Sequence, residues 1–347
     1  MPDRHYALLV LPAFNAVYAD AAPRLSCAEL GVFNQAALGG RLTDIALTTI
    51  GGAPYVRFSC DGLGPDEIAI LSNLSSIYVL FELIGDALHP VELHPSDRFP
   101  GDLITIQRYR GKTNPYLTKL LMNLTVLSTD HHASAFAARL NVLDPLCGRG
   151  TTLNQALMYG FNAFGVDVDD KDYDAYRAFI SHWMKDKRLK HTLKAGTLGK
   201  TGRHAAQLLD IELGETKEGF KAGEVLQIEY LNADTATLGA RWRRPLFDAI
   251  VTDLPYGVQH ASHDKSGDLA RRPLELLESS LPTWISVLKS GGALGLAWNT
   301  RVASREKLAE VLGQHGELEV LDGEAWRDFR HVVDQSITRD LIVARRG

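Results

Sequence analysis

Asp253, Pro255 and Tyr256, in the run Thr252-Asp-Leu-Pro-Tyr-Gly257, place a carboxylate, a proline kink and an aromatic ring at the end of an apolar strand. Such a set can hold a flat amine. The carboxylate and a main-chain carbonyl accept its two protons, the proline fixes the carbonyl's direction, and the ring offers a stacking face to a flipped-out base. An amine on an aromatic ring has a delocalised lone pair and is a poor nucleophile, so the corner must supply alignment with an electrophilic carbon. About a hundred residues earlier, Val142-Leu-Asp-Pro-Leu-Cys-Gly-Arg-Gly-Thr151 reads as a buried strand entering a glycine turn that opens a helix. Gly148 and Gly150 let the backbone turn sharply and approach a ligand, and N–H groups at the helix start can receive a carboxylate. Asp144 can order that turn or face a ligand ammonium.

Further acids follow at the spacing a nucleoside cofactor requires. Asp167 ends the next strand, where a carboxylate accepts both ribose hydroxyls, with Asp169 as the alternative; Asp234, after the third strand, is placed for an adenine amino group. A nicotinamide cofactor would use Asp167 as well. Its binders prefer GxGxxG, however, and Leu153 stands at the third glycine position. A dehydrogenase also has no use for the Asp253 corner. S-adenosyl-L-methionine is therefore the expected cofactor, with Asp144, Gly148, Gly150, Asp167, Asp234 and Asp253 around it. Cys147 reads as a small buried residue, and Arg149 receives no role.

The elements that must position these residues alternate strand and helix from Ile104 onward. Pro115 starts a helix through Leu117–Leu127 that Thr113 or Asn114 caps, and strands are expected at 141–143, 163–168, 226–231, 249–252 and 293–298. A helix at 282–288 is expected to stop at Gly291-Gly292. Residues 330–337 and 340–345 read as two strands joined by a Thr338-Arg339 turn, hence antiparallel. The expected fold is α/β, a Rossmann-like, mainly parallel sheet with an antiparallel final strand. Residues 1–108 read as a separate small α/β (α+β) domain of split-βαβ type, possessing strands at 6–11, 55–59 and 77–83, helices within 22–38 and at 65–74, and a linker at 89–101. Residues 109–347 form the catalytic domain, with an insertion near 185–223 in which Ala205–Leu213 looks like a strand of a hairpin. Lys185, Lys187, Arg188, Lys190, Lys194, Lys200 and Arg203 in that insertion are either a solvated helix end and loop or a phosphate-contacting patch.

Taken together, Gly111-Lys-Thr-Asn114, Asp144 to Thr152, Val166-Asp-Val168, Asn232-Ala-Asp234 and Thr252 to Gly257 resemble the THUMP-type tRNA guanine-N2 methyltransferase family. The resemblance spans residues 105–347 and implies a class I methyltransferase fold and methylation of an RNA guanine amine. It also implies that Asp253 and Tyr256 orient that amine, while Asp167 and Asp234 hold the cofactor. Leu254 replaces the family's commoner first proline, Arg149 stands where a small residue is usual, and residues 1–108 are too short for a ferredoxin-like layer plus a full THUMP domain.

Composition bounds the rest. A 45% apolar and 23% charged chain is of ordinary globular type, and a net charge of -5 advertises no global nucleic-acid field. Three widely spaced cysteines fit a reducing compartment, and the short apolar run at residues 6–12 suits a strand better than a signal peptide. A cytoplasmic enzyme with a nucleic-acid partner, tRNA first, and no membrane is expected. His131-His132 and His260…His263 lack partner ligands for a metal. Two other readings stay open: the same chemistry on a DNA adenine-N6 or cytosine-N4 amine or a protein glutamine amide, and a non-catalytic RNA-binding module.

Overall fold

Strand pairing in the computed structural model sorts the described residues (3–11, 16–107, 109, 112–198, 206–256 and 273–347) into two sheets. Gly111, Lys200, Arg203, Ala205, Gly257, His260 and His263, singled out above, lie outside the described residues. The first sheet is built from β1 (Arg4–Val10), β2 (Thr43–Ile50), β3 (Ala53–Cys60), β4 (Ile77–Ile84) and β5 (Ala87–Val91), with α1 (Ala16–Ala37) after β1 and α2 (Pro65–Leu71) after β3. Its order is β2-β3-β1-β4-β5 with every neighbouring pair antiparallel. The chain thus leaves β1 through α1 and returns to β2 across the position of β3, the split-βαβ connection expected. Two strands were not anticipated. β2 is largely exposed, and β5 occupies part of the expected linker, where the sheet edge accommodates Pro90.

The connecting stretch carries α3 (Asp102–Thr105) and α4 (Pro115–Val126). The larger sheet then follows from β6 (Asn141–Asp144), α5 (Thr151–Met158), β7 (Asn162–Asp167), α6 (Asp170–Asp186), β8 (His191–Leu198), β9 (Ala206–Gly214), α7 (Lys217–Ala222), β10 (Val225–Asn232), β11 (Phe247–Asp253), α8 (Pro273–Val287), β12 (Leu288–Asn299), α9 (Arg305–Gly313), β13 (Leu318–Leu321), β14 (His331–Val332) and β15 (Thr338–Arg346). The order is β13-β15-β12-β11-β6-β7-β10-β9-β8. The run β12-β11-β6-β7-β10 is parallel, and β15 inserts antiparallel between β12 and β13. This is the class I methyltransferase sheet, extended at one edge by the β8–β9 hairpin. The order reverses at β6, so the carboxyl ends of β6 and β11 open the crevice where ligands of such sheets lie.

Three expectations are corrected. The segment near 185–223 belongs to the sheet and is not an addition to it: the expected hairpin strand is β9, which pairs along β10 and takes β8 along its other edge. The helix before β12 starts at Pro273 and already ends at Val287; Gly291-Gly292 lies inside β12, at the register shift between Phe247↔Leu288 and Ala249↔Ala293. Thr338 and Arg339 are not a turn. Asp334 makes the turn earlier, its Oδ1 accepting from the Ser336 and Ile337 N–H groups at 2.7 and 2.8 Å, so Arg339 is a strand residue paired with Asn299.

Candidate active site

The glycine turn is built from behind by aromatic and acidic side chains. Gly148 and Gly150 have φ of +47° and +77°, and a Cβ on Gly150 would overlap the Tyr176 ring. The Tyr230 hydroxyl donates to Gly148 O at 2.8 Å, while Gly148 N donates to Asp167 Oδ2 at 2.8 Å. Asp167 Oδ1 accepts from Asp169 N at 2.9 Å, so both oxygens are anchored by backbone; burial still raises the carboxyl's pKa. Asp169 caps α6, accepting from Lys171 N and Asp172 N. Of the two candidates, Asp167 is the one joined to the turn. Leu153 fits at the third glycine position because the glycine lies opposite it: a Cβ on Gly165 of β7 would stand 2.7 Å from Cys147 Sγ and 2.9 Å from Leu153 Cδ1. Cys147 is buried, and burial pushes its thiol well up.

Asp144 ends β6 in a buried position, accepting from Thr252 Oγ1 at 2.7 Å and Leu146 N at 3.1 Å. Burial pushes its carboxyl up to about 6 against those hydrogen bonds. Two strands away from β7, the Asp253 carboxylate at the end of β11 has Oδ2 crowded with donors: Thr113 Oγ1 at 3.0 Å, Arg339 Nη2 at 3.3 Å and the Tyr256 hydroxyl. Its Oδ1 is buried and has no hydrogen-bond partner among the described residues. Burial raises this carboxyl's pKa, with Arg339 the first opposing influence. Leu254 explains its own departure from the motif. Its N–H donates to Ala297 O at 2.8 Å, a bond that a proline there would lack.

One cavity of about 290 Å³ joins these two ends, a volume at the lower edge of small-molecule sites. Asp144, Gly148, Asp253, Pro255 and Tyr256 all line it. Gly150 and Asp167 are not among its lining residues, although Asp167 is partly exposed and bonded to the lining Gly148; Asp234 is exposed, capping a short helical turn through Ala236 N at 2.9 Å. Several lining residues were missed from sequence. Arg149 stacks on Tyr109 (4.8 Å to the ring centroid) and pairs with Asp172 at 2.8 Å, and Tyr109 OH meets Thr151 Oγ1 at 3.1 Å. Lys112, Thr113 and Asn114 divide three tasks: Lys112 donates to Ile104 O and Gln107 O, Thr113 reaches Asp253, and Asn114 caps α4. Only the cap had a sequence signal. Within the basic run, Lys187 is tied to Asp102, which also accepts from Trp183 Nε1 at 3.0 Å. Lys187 therefore has a structural partner already. No group of three or more His, Cys, Asp and Glu poised for a metal occurs among the described residues, and no helix of theirs is long and apolar enough to cross a membrane.

No protein-family model and no curated protein matches the chain. Solved structures similar to it include TrmN from Thermus thermophilus, at 13% identity over 99% of this chain and 100% of that one, with a TM-score of 0.43. An rRNA methylase from Streptococcus thermophilus is similar at 11% identity over 69% and 99%, with a TM-score of 0.37. The ribosomal protein L11 methylase from Lactobacillus delbrueckii subsp. bulgaricus is similar at 14% identity over 67% and 80%, with a TM-score of 0.36. Likenesses this weak say nothing of activity, and the fold rests on the strand order.

Proposed function

We propose that this chain is an S-adenosyl-L-methionine-dependent methyltransferase whose acceptor is the exocyclic amine of an RNA base, guanine N2 in tRNA being the first candidate. The observation that carries the reading is the single cavity bounded at one end by the Gly148 turn and at the other by Asp253, Pro255 and Tyr256. The residues present suit the cofactor. Gly148 leaves the turn open, Asp144 is a buried carboxylate at the cavity wall available to an ammonium, and Asp167, with lone pairs left on both oxygens, suits a ribose diol. Bound there, S-adenosyl-L-methionine supplies an electrophilic methyl carbon. The guanine and tRNA assignment is supported by the motif resemblance.

The chain's own part is alignment. Asp253 Oδ1, buried and without a partner, accepts one amine proton as a hydrogen bond and so favours the pyramidal nitrogen of the transition state. The Tyr256 hydroxyl, with Thr113 and Arg339, already occupies Oδ2, which leaves Oδ1 as the acceptor for the amine and the Tyr256 ring at the corner beside it. Proton loss follows transfer, so no strong base is required. Incubation with methyl-labelled cofactor and separate tRNA, rRNA, DNA and protein pools, followed by nucleoside mass spectrometry, tests this. We expect N2-methylguanosine in tRNA; label confined to DNA or protein overturns the RNA reading. Asp253→Ala should lower transfer by at least about 100-fold and leave cofactor affinity within a few-fold. Near-normal turnover in that variant would remove the amine clamp.

A further inference from the structure

We propose that Arg339, on the antiparallel strand β15, is a positioning residue for transfer, holding the Asp253 carboxylate and the Tyr256 ring in the arrangement that receives the acceptor. This rests on the reading above and assigns a part in the site to a residue outside the cavity lining. The strand order β11-β12-β15 puts Arg339 two strands from Asp253, a span of about 9.5 Å. Register puts Ala297 of β12 opposite Asp253 on one side and Leu341 on the other, with Arg339 two residues before Leu341 and so on the same sheet face. The methyl of Ala297 is short enough for a guanidinium to pass over it. Arg339 does so with only 6% of its side chain exposed. Its Nη2 donates to Asp253 Oδ2 at 3.3 Å and to the Tyr256 hydroxyl, and its Cζ lies 4.8 Å from the Tyr256 ring centroid.

Two consequences follow from that placement. One face of Tyr256 is already covered by a cation, so a flat acceptor can stack only on the other. Asp253 meanwhile sits half-buried beside a fixed positive charge that favours its ionised, acceptor-only form. The groups facing this carboxylate are few. Thr113 approaches from the segment before α4, Tyr256 from its own turn, Arg339 from β15, and His331 from β14. His331 is held toward its neutral form by burial, its Nδ1 lying 2.9 Å from Phe329 O, and it packs edge-on against Tyr18. Arg339 is thus the permanent cation of the set.

The test compares wild type with Arg339→Met and Arg339→Lys from pH 5.5 to 9. In Arg339→Met the acid limb of kcat/KM should move up by about one unit or more, with kcat at least about tenfold lower at pH 6.5 and cofactor Kd within about threefold. Arg339→Lys should restore most of the pH shift and only part of the rate, because an ammonium lacks the flat guanidinium that lies over the Tyr256 ring. Carbon-13 NMR of aspartate carboxyls, with Asp253 assigned through Asp253→Asn, reads the same effect without turnover. Its titration midpoint should rise in Arg339→Met. Superimposable pH profiles and carboxyl titrations in folded Arg339→Met overturn the proposal. Should that variant fail to fold, an unchanged rate and profile in Arg339→Lys does so. If wild type methylates no acceptor, the functional reading fails while the carboxyl titration still decides the role of Arg339.

Discussion

Asp144 brings a charge requirement and a burial cost together in one residue. It is 3% exposed, and its carboxyl titrates near 6 because burial outweighs the Thr252 and Leu146 hydrogen bonds. A carboxyl whose folded pKa exceeds its ordinary value favours the folded state most at low pH, and that contribution is lost as pH rises from about 4 to 6. Asp144→Asn should therefore stabilise the protein at pH 7–8, by up to about 3 kcal/mol, and have little effect at pH 4, as read by thermal unfolding. If Asp144 faces the cofactor's ammonium, calorimetry should show affinity falling up to about tenfold per pH unit below 6 in wild type. The variant should bind weakly with a flat profile. A pH dependence retained in Asp144→Asn would place the ammonium elsewhere. Residue types and spacing were enough to find Asp144, Gly148, Asp253, Pro255 and Tyr256 at one cavity. Arg339 was hidden because Thr-Arg between two apolar runs reads as a turn, and the burial of Arg339 and Asp340 inside a strand shows only in the fold.

At the scale of elements, the turn depends on a trade between α5 and β7. A Rossmann helix usually comes close to its strand through a glycine of its own, whereas here Leu153 on the helix packs into the space left by Gly165 on the strand. Gly165→Val should force Cys147 and Leu153 apart, cost about 1–3 kcal/mol and weaken cofactor binding more than tenfold, since Cys147 is one residue from Gly148. Denaturant unfolding and cofactor titration read the two effects; full cofactor affinity in a destabilised Gly165→Val would show the turn to be independent of this packing. The parallel strands that carry the site could be read from apolar runs because they are buried on both faces. Among the elements missed, the strands β2, β5, β8 and β13 all lie at sheet edges, and β8 carries Lys194 and Gly196 within it. Their pairing is set by neighbours distant in sequence, which no local pattern records.

Across the whole molecule the two sheets are joined through a carboxylate. Glu29 of α1 is fully buried; it accepts from Ser75 N at 3.0 Å, Ser75 Oγ at 2.7 Å and Asn123 Nδ2 of α4 at 2.7 Å. Asn123 in turn accepts from the Tyr159 hydroxyl, just beyond α5, at 2.7 Å and donates to Asn73 O at 2.9 Å. The network thus ties the first sheet's helix to the helix before the larger sheet. Further along α1, Tyr18 stacks on Tyr116 and meets His331 edge-on, beside the Asp253 corner. Glu29→Ala would leave Ser75 N unpaired and Asn123 Nδ2 with Asn73 O alone, in a buried site, at a cost of about 2–4 kcal/mol. All five tryptophans lie between residues 183 and 326, so their fluorescence reports chiefly the larger sheet, with Trp326 near α1, while far-ultraviolet circular dichroism reports both. In wild type the two probes should give coincident thermal transitions, as one cooperative unit requires. In Glu29→Ala the dichroism should begin to fall first and kcat should drop, because α1 no longer holds Tyr18 against the corner. Coincident, unshifted transitions in that variant would mean that apolar packing alone joins the sheets and that the network is incidental.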